Sequence, residues 1–234
     1  MSSTAVFDDY YEAVFKQTNT FTPQEYEEHA RNFARIYRDI LPGDTTCRIL
    51  DLGCGTGHFL YFLRQRGYAN ASGIDISPQQ VAFCRQHVGL SNVTQADAFA
   101  YAREHNAMFD LITMHDILEH VNRDSVIGLL EAVRASLRHE GAIVIRTPNM
   151  GNPFSLRLRY TDFTHEAGYA EISLYQVLWL AGFRRIEIRP TPLSGGLSGL
   201  VARSIHAVLR KLMWYQGYVA PKIMTPLLIA IART

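Results

Sequence analysis

From residue 47 to about 190, short apolar runs alternate with amphipathic stretches. Runs near 47–51, 70–75, 92–95, 109–114 and 142–147 are strand-length and bounded by turn residues, so they read as buried strands. Between them, 57–66, 78–87 and 123–138 carry helical spacing. Such alternation argues for a parallel, doubly wound α/β sheet. His139-Glu140-Gly141 is expected to close the last of these helices on its glycine. A helix near 173–181, ending at Gly182, precedes a sixth strand over 183–189. Upstream, Thr22-Pro23 opens a helix to about Leu41, with Tyr26, Ala30, Phe33, Ile36, Tyr37 and Ile40 facing the core and Pro42-Gly43 as the stop.

The tail beyond Pro190 follows a different pattern. Gly195-Gly196 precedes a helical stretch, 197–214, with Leu197, Leu200, Val201, Ile205, Val208, Leu209, Leu212 and Met213 on one side and Arg203, Arg210 and Lys211 on the other. Packing on the domain is the favoured reading. Contact with a lipid carrier or the inner membrane face is the alternative. The chain divides into a cap (1–45), a core (46–190) and a helical insertion with the final strand (191–234), all in one globular domain.

Composition narrows the function. With 234 residues and 47% hydrophobic content, the chain can bury a full core. Its formal net charge of +1 offers no global attraction to nucleic acid, so no such partner is expected. Met1-Ser2-Ser3-Thr4 lacks a basic region and an apolar core, which favours a cytoplasmic location over secretion. Cys47, Cys54 and Cys84 are odd in number, lack metal-site spacing and read as reduced thiols.

The most specific signal is Ile49-Leu50-Asp51-Leu52-Gly53-Cys54-Gly55-Thr56-Gly57-His58, a strand ending in an acid, a glycine turn and a helix start. The G-x-G-x-G spacing puts His58 where a dinucleotide fingerprint needs glycine, and no Gly-Lys-Ser/Thr follows for a triphosphate. About 20 residues on, Gly73-Ile74-Asp75-Ile76-Ser77-Pro78 puts an acid at the second strand tip, where it can accept from ribose hydroxyls. A third acid follows in Ala96-Asp97-Ala98.

These segments resemble the class I S-adenosylmethionine (SAM) dependent methyltransferases over roughly residues 25–190. The resemblance implies a Rossmann-like sheet of seven strands with an antiparallel last strand, here 225–233. It implies SAM as cofactor and S-adenosylhomocysteine as product. It also implies that Gly53, Gly55 and Gly57 wrap the methionine and ribose, and that Asp51 faces the amino group. Asp75 would then take the ribose and Asp97 the adenine amino group, with Ile76, Ala98 and His115 beside the cofactor. The aromatic-rich segment 1–22, with Phe7, Tyr10, Tyr11, Phe15 and Phe21, is a candidate flap over the cofactor.

The acceptor belongs outside the carboxyl ends of the fourth and fifth strands. His115, Asp116, Glu119 and His120 follow the fourth strand; Arg146, Asn149, Arg157, Arg159, Tyr160, Asp162 and His165 follow the fifth. Leu118-Glu119-His120-Val121 resembles a motif of ubiquinone-type O-methyltransferases and of methyltransferases from bacterial polysaccharide clusters. Thr147-Pro148-Asn149 with Asp162-Phe163-Thr164-His165 points toward the second group. A hydroxyl nucleophile needs a base near neutral pH, and His120 and His165 are the candidates, with Glu119 and Asp116 in support. Asn149, Arg157, Arg159 and Tyr160 are candidate acceptor contacts, the arginines for a phosphate. Asp116, Glu119, His120 and His165 also resemble the metal set of small-RNA terminal 2′-O-methyltransferases. That family has glutamate at the position of Asp116, so a metal-free site is favoured.

The sequence therefore favours O-methylation of a sugar hydroxyl on a glycan or glycoconjugate acceptor, phosphate- or lipid-linked in one version. The alternatives are O- or N-methylation of a small aromatic, quinone or natural-product acceptor, and a non-catalytic SAM-binding partner protein.

Overall fold

The computed structural model describes residues 22–193 and 195–234. The flap expected of the first segment lies outside the described residues, apart from Thr22.

Seven strands form one sheet: β1 (Ile49–Leu52), β2 (Ala71–Asp75), β3 (Val93–Gln95), β4 (Phe109–His115), β5 (Leu137–Pro148), β6 (Arg185–Pro190) and β7 (Leu227–Arg233). Their order is β3-β2-β1-β4-β5-β7-β6. β7 runs antiparallel to both β5 and β6, and every other pairing is parallel. This is the expected seven-stranded Rossmann-like architecture. The order reverses between β1 and β4, and the crevice beyond their carboxyl ends is where such sheets bind ligands.

The helices are α1 (Pro23–Ile36), α2 (His58–Gln65), α3 (Pro78–Phe83), α4 (Ala98–Glu104), α5 (Val126–Ser136), α6 (Leu156–Thr161), α7 (Glu171–Leu180) and α8 (Gly196–Tyr215). The core has two halves. Leu50, Leu52, Ile112 and Met114 pack with Leu130, Val133, Leu174 and Leu178 of α5 and α7. Ile49, Leu111 and Val144 pack with Phe33, Phe59, Phe62 and Leu63 of α1 and α2. α1 thus covers the sheet beside the glycine turn. Thr22 caps it by accepting from the Glu25 amide at 3.3 Å.

Several elements differ from their sequence patterns. α5 ends at Ser136 rather than near 138, and Gly141 does not cap it. Leu137 is already extended, pairs with Phe109, and begins a twelve-residue strand. The register shifts before Leu111 pairs with Ala142, and Glu140, not Gly141, takes the left-handed conformation at φ 65°. A Cβ at Gly141 would meet the Arg138 carbonyl oxygen at 2.8 Å, so glycine permits this bulge. α3 is short and passes into a π turn, Cys84–Val88, closed by Gly89. α4 and α6 had no separate pattern in the sequence.

The largest correction concerns α8. Packing was expected, yet only Gly199 is buried along its twenty residues. Gly199 is buried and Ala202, His206, Leu209 and Met213 are half-buried along one side, whereas Leu197 (77% exposed), Leu200, Val201, Ile205, Val208 and Leu212 are exposed. The half-buried strip is one or two positions around the helix from the bulkier stripe. Among the described residues, no helix is long and apolar enough to cross a membrane.

Candidate active site

The glycine turn is built for close approach. Gly53, Gly55 and Gly57 all have positive φ (70°, 55° and 85°), conformations that side chains disfavour. At Gly53 a Cβ would stand 2.1 Å from Ile117 Cδ1, so the turn also lets the post-β4 segment lie over it. Asp75 locks the turn to the tip of β2: its carboxylate accepts from the Gly55 and Ser77 amides, both at 2.9 Å. Burial pushes its carboxyl up, while the two amide donors pull it down. Ile76 lies half-buried behind it. Asp97 caps α4 by accepting from the Ala100 amide at 2.9 Å, with Ala98 as the first helical residue.

Asp51 is buried at the tip of β1 and accepts from Thr113 Oγ1 at 2.7 Å. His115 Nδ1 stands 3.3 Å from the same oxygen, and His115 Nε2 is 2.7 Å from the Tyr37 hydroxyl. Burial, and next the Asp51 charge, raise the Tyr37 phenol well above its ordinary value, so it keeps its proton and donates to Nε2. Nδ1–H then faces Asp51. His115 is thus spent as a link between cap helix and core.

Asp116, at φ 55°, turns its carboxylate onto Arg146, which binds it through Nε at 3.2 Å and through a second, shorter Nη2 contact. The fork geometry is bidentate and charge-assisted.

Glu119, 2% exposed, accepts from Thr147 Oγ1 at 3.1 Å through Oε2, while Oε1 is buried without a hydrogen-bond partner among the described residues. Burial first, then the Asp116 charge, push its carboxyl up to about 8. Its backbone carbonyl accepts from the Glu166 and Ala167 amides at 2.8 and 3.0 Å, which folds the post-β5 loop onto the short 3₁₀ turn Leu118–His120.

That fold-back brings His120 and His165 together, with ring centroids 4.7 Å apart and edge-to-face. His120 Nδ1 lies 2.8 Å from Thr164 Oγ1, and Thr164 Oγ1 donates to Asp162 Oδ1 at 2.6 Å. A hydroxyl has one proton. Thr164 gives that proton to Asp162 and so accepts from His120 Nδ1–H, leaving Nε2 with its lone pair. Burial, then His165, lower the His120 pKa, so the ring is neutral at pH 7. Ligating atoms of Glu119, His120 and His165 also lie within 4.8 Å of one another. Asp116, committed to Arg146, stands outside that group.

The candidate acceptor contacts fare differently. Asn149 is buried; its amide donates to the Ile223 and Thr225 carbonyls at 3.0 and 2.8 Å, and its Oδ1 accepts from the Gly151 amide. It fastens the chain before β7 instead of facing an acceptor. Arg159 donates to the His165 and Glu166 carbonyls, so it braces the histidine loop rather than presenting a phosphate clamp. Arg157 and Tyr160 are exposed on α6. The roles of Thr164 and Arg146 went unread in the sequence. Asp162-x-Thr164 is an Asx-turn pattern, which signals a hydroxyl fixed by an aspartate.

Comparison with known proteins shows the family. A family model described as a methyltransferase domain matches residues 24–188. The chain belongs to that family, the class I SAM-dependent methyltransferases, and is an enzyme that uses SAM. It is 36% identical over 108 residues to a ubiquinone biosynthesis O-methyltransferase of Azoarcus sp. (strain BH72), covering 44% of each chain. It is 29% identical over 125 residues to a malonyl-[acyl-carrier protein] O-methyltransferase of Acetivibrio thermocellus, covering 52% of this chain and 44% of that one. The chain thus spans less than half the length of these curated relatives. A SAM-dependent methyltransferase from Archaeoglobus fulgidus superposes with TM-score 0.67 at 24% identity, over 98% of this chain and 99% of that one. That likeness is one of fold.

Proposed function

We propose that this enzyme transfers the methyl group of SAM to a hydroxyl of a small aromatic or quinone-type acceptor, with His120 as general base. The His120–Thr164–Asp162 chain carries the reading, because it fixes the orientation of the imidazole through Nδ1 beside the carboxyl ends of the strands. The ubiquinone-type relatives support this acceptor class over the sugar hydroxyl favoured from sequence, since none of those described above is named for glycan modification.

The cofactor side fits SAM: a carboxylate held by backbone amides at the β2 tip stands beside a left-handed glycine turn. In this reading Asp75 accepts from the ribose hydroxyls, Asp97 receives the adenine amino group and Asp51 sets the charge near the methionine amino group. Gly53, Gly55, Gly57, Ile76 and Ala98 line the approach, and His115 holds Asp51. SAM supplies an electrophilic methyl on a positively charged sulfur. The acceptor O–H proton passes to His120 Nε2 as the oxygen–methyl bond forms and the sulfur–methyl bond breaks. The sulfur would give up its positive charge with the methyl group, and the imidazolium formed on His120 would be balanced through Thr164 by Asp162.

A second reading rests on the convergence of Glu119, His120 and His165. Their nitrogen and oxygen donors fit a divalent ion that would hold adjacent acceptor oxygens. The withdrawal of Asp116 to Arg146 leaves that set at three residues. Labelled methyl transfer from SAM to a panel of catechols, hydroquinones and free sugars, with and without EDTA, tests both. Transfer to the aromatic hydroxyls in EDTA supports the base mechanism. Loss in EDTA with recovery in Mg²⁺ or Mn²⁺ supports the metal. Transfer only to sugars overturns the acceptor class.

A further inference from the structure

The apolar stripe of α8 has no partner within the described fold. Leu197, Leu200, Val201, Ile205, Val208 and Leu212 are each about half exposed or more, and recur at helical spacing along the whole element. Scattered exposed leucines need no explanation, but a continuous stripe on one helix face marks an interaction surface. It is bounded by a polar strip with Arg203 and Arg210, and Lys211 stands at its edge with its ammonium 5.9 Å from the Tyr215 ring.

Two observations identify the occupant. The first is charge. Glu187 is the last acidic residue of the chain and, with Asp39, it pairs with Arg189; Arg203, Arg210 and Lys211 on α8 and Lys222 just beyond it follow with no opposing carboxylate in sequence. A helix that pairs with a soluble protein carries mixed charges around its apolar seam. One-sign basic flanks instead complement an anionic lipid surface, and lysine stems can lie along the apolar face with the ammonium at the headgroups. The second is the aromatic end. Trp214 (70% exposed), Tyr215 and Tyr218 cluster where α8 stops, and these residue types favour the boundary between headgroups and hydrocarbon. α8 carries too much charge to span a bilayer. Its length, its stripe and its basic polar face are those of a helix lying in the interface plane.

We propose that α8 docks the enzyme on an anionic bilayer surface, with the apolar stripe in the acyl boundary. The surface continues toward the candidate active site. The segment after α8 returns beside the post-β5 loop: a Cβ at Gly151 would touch Pro221 Cβ at 3.5 Å. From Gly151 the chain runs through Phe154, Leu156, Tyr160 and Phe163, all exposed, to Thr164 and His165. Docking through α8 therefore brings the loop that carries the two histidines close to the lipid surface. The inference stands on α8 alone and does not depend on the acceptor proposed above.

Sedimentation of the full chain with vesicles tests it, using phosphatidylcholine alone and phosphatidylcholine with about one-third phosphatidylglycerol. The wild type should partition onto the anionic vesicles at low salt, and much less onto neutral ones. Ile205→Ser with Leu212→Ser should lower that partition at least about tenfold, as each buried aliphatic side chain contributes to it. Lys211→Glu with Arg203→Glu should lower it and weaken its salt dependence. Both pairs are exposed, so the melting temperature and SAM affinity should match the wild type. No wild-type binding to anionic vesicles would overturn the proposal. So would binding that the serine pair leaves unchanged. A dimer in light scattering that the serine pair converts to monomer, with no vesicle binding, would assign the stripe to a second copy instead.

Discussion

His120 Nδ1 sits 2.8 Å from Thr164 Oγ1, although the two residues are 44 positions apart in sequence. The Thr164 proton goes to Asp162, so the pair has one direction and His120 one tautomer. Thr164→Ala should remove the acceptor for Nδ1–H and free the ring to turn. We expect kcat to fall about tenfold or more, with the Kd for SAM unchanged, because only the orientation of the base is lost. Thr164→Ser should restore most of the rate. Equal losses in the alanine and serine variants would indicate a packing role for Thr164 instead.

Asp75 offers a cofactor test separate from the base. Hydrogen bonds to a charged group contribute roughly 1.5–3 kcal/mol each. Losing two to the ribose through Asp75→Ala should weaken SAM at least about a hundredfold in calorimetry. The same change frees the Gly55 and Ser77 amides, so Asp75→Asn, which keeps one acceptor oxygen, should lose less. Wild-type affinity in Asp75→Ala would remove Asp75 from the cofactor site.

Glu119 makes a prediction about stability. Its carboxyl is raised to about 8 by burial and by Asp116, above an unfolded value near 4.5. Between these values the folded chain holds a proton that the unfolded chain has released. Its contribution is therefore complete below about pH 4.5 and is lost as pH rises through about 8. Glu119→Gln cannot ionise and should flatten this fall. The melting temperature of Glu119→Gln relative to wild type should rise from pH 5 to pH 8.5. A constant difference across that range would place the Glu119 pKa near its ordinary value.

Much of the fold was legible because apolar runs, caps and glycines act locally. Asp51, Asp75 and Asp97 were found at strand tips because a strand end and a helix start are both written in a few residues. The helix boundary at Ser136 was not, since the bulge before Leu111 depends on pairing between β4 and β5. Thr22-Pro23 marked the start of α1, but Tyr37 left the helix for His115, a partner 78 positions away. Asn149 and Arg159 looked like acceptor contacts because polar residues after a strand in this fold commonly are. Their donors were instead taken by carbonyls of segments whose proximity only the folded chain reveals. For α8 the periodicity was clear and the outward side was not, because apolar residues stand on both sides of the helix, Leu209 and Met213 on the half-buried one and Leu200, Ile205 and Leu212 on the exposed one.

The most direct test is the pH dependence of single-turnover methyl transfer in EDTA, comparing wild type with His120→Ala. The imidazole is active when neutral, and burial lowers its pKa, so the wild-type rate should fall only as pH drops below the ordinary histidine value of about 6.5. The His120→Ala rate should be lower by about 10²–10⁴, without that acid limb and with SAM still bound. A wild-type rate abolished by EDTA, or a His120→Ala enzyme with full activity and the same acid limb, would contradict His120 as the base.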